Sequence, residues 1–180
     1  MPKIAVLLAD GFEEIEAITI IDILRRANLD VVTAGLKPGD ITGAHAIAVT
    51  PDTGIGTINA DGFDMIILPG GGPGTKNLKA DPRVLELVRQ FSNKGKLTGA
   101  ICAAPTVLYT AGILDGKRVT SFPGTDSEMP DVNYSTDTVV WDGNIVTGRA
   151  AGTAGAFALA IVARLAGQAA ADKLKSAMLY

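Results

Sequence analysis

The 180-residue chain contains one cysteine and one histidine, so sulfur chemistry has a single address at Cys102 and imidazole chemistry a single address at His45. Cys102 closes the apolar run Leu97 to Ile101 and is followed by Ala103-Ala104-Pro105. Proline is tolerated in a first helical turn, so the thiol falls at a strand-to-helix bend. Gly99, Ala100, Ala103 and Ala104 keep that bend small, as in the nucleophile elbow of hydrolases. A helix N-terminus favours thiolate over thiol, and its free N–H groups could hold an oxyanion. A buried, inert core thiol fits the same spacing. Glu16 is the second candidate. At 100° per residue it lies between Ile23 and Ala27 and beside Ile20, in the apolar arc of its helix. Desolvation there would raise its pKa and leave a protonated acid able to donate to a thiolate or shuttle a proton. The alternative is a solvated acid at a helix start, the reading that suits Glu13 and Glu14.

Gly70-Gly71-Gly72-Pro73-Gly74 follows the apolar run DMIIL directly. The spacing fails the Gly-x-Gly-x-x-Gly register and lacks the Gly-Lys-Ser/Thr ending of a P-loop, so a nucleotide cradle has no motif here. His45 falls in a loop or edge hairpin, far along the chain from the thiol, and reads as a surface histidine. No Cys-His triad is built on it.

These residues need a scaffold, and the hydrophobic pattern supplies one. Lys3 to Ala9, Leu29 to Ala34, Asp64 to Leu68 and Leu97 to Ile101 are short continuous apolar runs, the pattern of strands buried on both faces. Helical periodicity spans Glu14 to Asn28, with acids first and Arg25-Arg26 last, and Asp81 to Lys94, through Val84, Leu87, Val88 and Phe91. That alternation implies a parallel sheet. Gly43 to Ile58 reads as a small hairpin or edge excursion, and Thr138 to Trp141 with Ile145 to Thr147 as a hairpin about Asp142-Gly143-Asn144. Thr153 to Leu165 and Ala169 to Leu179 close the chain as helices. Ligands of such sheets bind beyond the strand C-termini, where Glu16, Gly71 and Cys102 all fall. Three oddities on one rim point to a functional site.

Composition bounds the rest. A hydrophobic fraction of 47%, 19% charged residues and no linker predict one folded domain over 1–180. A net charge of −3 without a dense basic stripe sets nucleic acid aside. The longest apolar stretch, Ala150 to Ala163, falls short of the roughly 20 residues of a membrane helix. The opening run is too short for an export signal and meets acids. One cysteine cannot form an internal disulfide, and one cysteine with one histidine cannot build a zinc site. The expected setting is a reducing cytoplasm.

Asp10-Gly11-Phe12-Glu13-Glu14-Ile15-Glu16, Leu68-Pro69-Gly70-Gly71, Ala100-Ile101-Cys102-Ala103-Ala104-Pro105 and Gly152-Thr153 resemble the DJ-1/ThiJ/PfpI superfamily, specifically its DJ-1/YajL-like branch, over essentially the whole chain. The resemblance implies a flavodoxin-like three-layer α/β sandwich with a mostly parallel central sheet and helices on both faces, a homodimer, and a low-pKa cysteine hydrogen-bonded to a protonated glutamate, here Cys102 and Glu16. It also implies an oxyanion pocket from N–H groups near Gly71 and Ala103. This chain departs at Thr120-Ser121-Phe122-Pro123, where many relatives carry a pocket histidine. Phe122 cannot shuttle protons. Ala103 stands where the protease-like branch has histidine, which speaks against peptidase activity. His45 stands in for an arginine that some relatives give to the partner's pocket, and Arg149 matches a pocket-side arginine. The implied activity is glyoxalase III-like or deglycase-type, on methylglyoxal, glyoxal or their early adducts, without an external cofactor. The alternative is an oxidative-stress sensor or redox-regulated chaperone using the same pair, and an amidohydrolase fits least.

Overall fold

The computed structural model describes residues 1–180. In chain order the strands are β1 (Lys3–Leu8), β2 (Asp30–Gly35), β3 (Ile41–Thr42), β4 (Ala48–Val49), β5 (Thr53–Gly54), β6 (Met65–Leu68), β7 (Leu97–Ile101), β8 (Arg118–Val119), β9 (Asn133–Tyr134), β10 (Val139–Asp142) and β11 (Ile145–Gly148). The helices are α1 (Glu14–Arg26), α2 (Gly72–Ala80), α3 (Pro82–Asn93), α4 (Pro105–Thr110), α5 (Ala154–Ala166) and α6 (Gln168–Ala177). Seven strands form one sheet in the order β10-β11-β7-β6-β1-β2-β5. Only the β10–β11 pair is antiparallel. From β1 the chain steps one way to β2 and β5, then returns to place β6 on the other side. The sequence order reverses between β1 and β6, which opens a crevice above their C-terminal ends.

Both faces are covered because both sets of side chains along each central strand are apolar. Ile4, Val6 and Leu8 of β1 pack with Ala17, Ile20 and Leu24 of α1 and Phe157 and Ile161 of α5. Ala5 and Leu7 face Leu78 of α2, Val88 and Phe91 of α3 and Val107 of α4. The result is the expected three-layer sandwich. Helix α3 starts where Asp81 accepts a hydrogen bond from the Arg83 N–H and Pro82 takes the first position. No helix is long and apolar enough to cross a membrane.

The hairpin expected within 43–58 starts earlier, at β3 (Ile41–Thr42), and an edge strand follows it within the segment. β3 and β4 pair antiparallel, and β5 then joins β2 as a parallel edge strand. The main omission of the sequence reading is α2. Its Gly-Pro-Gly start reads as loop, yet Pro73 fits a first turn and Leu78 buries the helix.

Candidate active site

The elbow at Cys102 is present. Its φ of 62° is left-handed, a conformation that side chains other than glycine adopt at a cost of about 1 kcal/mol or more. Two hydrogen bonds hold it there. The Cys102 N–H donates to Gly148 O at 3.0 Å, and the Phe122 N–H donates to Cys102 O at 2.8 Å. The sulfur is half-buried, and the Gly71 and Ala103 N–H groups lie beside it and favour its charged form. These are the two donors the resemblance implied.

Glu16 is completely buried, which excludes the solvated reading. Its Oε2 accepts from the Gly70 N–H at 2.7 Å, while Oε1 has no conventional hydrogen-bond partner. Gly70 lets the two groups meet: a Cβ there would lie 2.7 Å from both Cys102 Cβ and Glu16 Oε2. Burial pushes the Glu16 carboxyl up to about 7, opposed by its hydrogen bonds to the thiol and the Gly70 N–H, with the Glu13 charge adding to the rise. Burial, then the Glu16 charge and hydrogen bond, push the Cys102 thiol up to about 12 against the Gly71 and Ala103 N–H groups. This corrects the expectation of a thiolate favoured by a helix N-terminus. Desolvation and the neighbouring carboxylate outweigh a six-residue helix. The two groups titrate as a pair rather than separately.

The sulfur opens into a cavity of about 590 Å³ bounded by Gly71, Ala103, Thr106 and Phe122 on its near side. Neither Arg149 nor His45 lines it. Arg149 keeps Nη1 buried and unpaired. His45 stands exposed on the β3–β4 hairpin, with Nδ1 2.9 Å from Glu14 Oε2 and 3.7 Å from Glu13 Oε1. The three side chains place donor atoms within 4.8 Å of one another. The Glu14 oxygens, however, are already engaged by the His45 N–H, the Ile47 N–H and the ring, so the cluster works as a hairpin clamp. Glu14 is thus no mere dipole partner. Glu13 lines the cavity, as do Thr75, Lys76 and Lys79 of α2, none of which the sequence reading singled out. The signal that could have found the last three was the i, i+3, i+4, i+7 spacing after Gly72.

Residues 2–164 match the model described as DJ-1/PfpI family. The chain belongs to the DJ-1/PfpI family. Among similar DJ-1/PfpI proteins, Drosophila melanogaster protein dj-1beta is 40% identical over 178 residues, 97% of this chain and 95% of that one. A deglycase of Pyrococcus abyssi is 34% identical over 152 residues, 83% and 91% of the two chains. The crystal structure of Drosophila DJ-1beta superposes with a TM-score of 0.95 at 39% identity, covering 99% and 98% of the chains. Toxoplasma gondii DJ-1, in oxidized form, gives 0.95 at 31% identity, covering 100% and 99%. The DJ-1/PfpI match agrees with the flavodoxin-like sandwich seen here.

Proposed function

We propose that this protein is a cofactor-independent enzyme of glyoxalase III or deglycase type, acting on methylglyoxal, glyoxal or their early glycation adducts through Cys102. The observation that carries the reading is a sulfur held in a left-handed bend, beside two backbone N–H donors and one buried carboxyl. A relative named as a deglycase supports it. With its pKa near 7, Glu16 can both take and return a proton at neutral pH. It accepts the thiol proton as sulfur adds to the aldehyde carbon and passes that proton to the new alkoxide, which frees the carboxylate for the next transfer. The carbonyl π pair moves onto oxygen, beside the Gly71 and Ala103 N–H groups. Glu16 then carries the C1 hydrogen to C2 as a proton, converting the hemithioacetal to a thioester. Water cleaves that thioester to the 2-hydroxy acid and restores the thiol. Phe122 at the cavity wall offers no proton, so the carboxyl carries these transfers without an imidazole.

Lactate release from methylglyoxal measures this directly. Cys102→Ser and Glu16→Ala should each lower the rate at least about 100-fold, as losses of a nucleophile and its base do. Wild-type turnover no faster than a free thiol would remove the reading. A second reading is favoured by the oxidized Toxoplasma relative: a sensor or redox-regulated chaperone whose Cys102 becomes a sulfinate held by the Glu16 proton. Selective gain of two oxygens at Cys102 on peroxide titration, with altered client binding, would support it. We also propose that the protein pairs with a second copy of itself.

A further inference from the structure

The cavity at Cys102 is larger than a small dicarbonyl needs. Methylglyoxal, with five heavy atoms, occupies roughly 150 Å³ on the scale of ~30 Å³ per water, against about 590 Å³ available. The remaining space is walled by one face of α2, which presents Gly72, Thr75, Lys76 and Lys79. Across from it stand Phe122, Thr125 and Glu128.

The charges on these walls are unequally spent. Lys79 Nζ lies 2.6 Å from Glu128 Oε2, joining the two walls. Glu13 stands beside His45. Lys76 takes part in no ion pair or hydrogen bond, in contrast with its neighbour one turn on. Thr75 is only 5% exposed, and its Oγ1 has no hydrogen-bond partner. A buried hydroxyl left unpaired is uncommon in a native fold and marks a place where a ligand atom would complete the bonding. Both residues sit in the first turns of a nine-residue helix whose own first turn holds no acid, and whose Gly74 N–H is already taken by Gly11 O, so the Lys76 charge and the Thr75 hydroxyl are the groups this wall offers.

We propose that this wall is an anion subsite, and that the preferred substrates are carbonyl compounds or glycation adducts bearing a phosphate or carboxylate group. The anion lies against Lys76 and the Thr75 hydroxyl, while the carbonyl carbon meets Cys102. This deepens the reading of the sulfur as a carbonyl nucleophile and rests on it. The step is simple addition: an S–C bond forms, the C=O π bond breaks, and the thiol proton moves by way of Glu16 to the new alkoxide.

Reversible addition of an aldehyde shields Cys102 from alkylation by neutral iodoacetamide, so occupancy can be read by intact mass without any turnover. Two matched pairs serve as probes: glyceraldehyde 3-phosphate against glyceraldehyde, and succinic semialdehyde against butyraldehyde. In the wild type the charged member of at least one pair should shield at a concentration about fivefold or more below that of its neutral partner, the worth of one partly shielded ion pair. The pair with the larger gain identifies the anion. The advantage should vanish in Lys76→Ala, shrink in Thr75→Val, and survive in Lys173→Ala, which removes the same charge from α6. Equal shielding by charged and neutral aldehydes in the wild type would overturn the subsite, as would an advantage that persists undiminished in Lys76→Ala. Anion-dependent shielding without any acid product from methylglyoxal would sink the enzyme reading instead, leaving the subsite in place.

Discussion

A carboxyl raised to about 7 against a thiol raised to about 12 makes the location of one proton the variable on which the chemistry turns. It also ties stability to pH. The folded pKa of Glu16 lies above its ordinary 4.5, so its contribution is fully present below 4.5 and is lost as pH climbs through about 7. At about 1.4 kcal/mol per pKa unit the loss approaches 3 kcal/mol at pH 8. Denaturant titrations should show wild-type stability falling over that interval. Glu16→Gln should flatten the slope and exceed the wild type at pH 8, while lactate formation collapses. Glu16 stood out as a carboxyl on an apolar helical arc, but periodicity alone left a solvated acid open, and its place on one rim with Gly71 and Cys102 was what pointed to a site. Its neighbours did not stand out. Glu13 and Glu14 follow the same first-turn pattern, yet one lines the cavity and the other clamps a hairpin thirty residues away. The raised thiol pKa was illegible too, since desolvation depends on what packs above the sulfur.

Elements meet at this site with almost no spare volume. The loops after β1 and β6 cross so closely that a Cβ on Gly74 would lie 2.7 Å from Phe12 Cα. Gly70 fills the gap between nucleophile and acid. Gly70→Ala should therefore cost about 1–3 kcal/mol by overpacking and cut lactate formation roughly 100-fold through misplacement of the pair. Thermal melts and initial rates would separate the two effects. Glu14→Ala leaves two hairpin N–H groups without acceptors and should cost about 1–3 kcal/mol, with faster amide exchange at His45 and Ile47. The central strands and long helices were readable because buried parallel strands are continuously apolar and amphipathic helices periodic. Helix α2 was hidden because Gly72, Pro73 and Gly74 are breakers in a helix interior but acceptable in a first turn, and only tertiary burial of Leu78 decides between them.

At the scale of the molecule, one feature lies outside the sheet's own needs. Ile15 and Ile18 of α1 are 58% and 43% exposed, and Ile47 on the clamped hairpin is 55% exposed. The hydrogen bond between the Ile47 N–H and Glu14 brings that hairpin beside the start of α1. An apolar patch of this kind suits a twofold contact with an identical chain. Sedimentation should give about twice the chain mass of 18.5 kDa, and Ile18→Lys should shift the protein to the single-chain mass. The parallel sheet was readable because strands and helices alternate along the chain, while the layering around it was expected from the resemblance. The expectation of a second copy comes from the resemblance alone. The N–H and C=O of Cys102 are secured by Gly148 and Phe122, two tethers of the bend that do not involve the sulfur atom. A Cys102→Ala protein should keep the pocket's shape and retain unreacted substrate, which makes it a bait for recovering the natural ligand from metabolite mixtures.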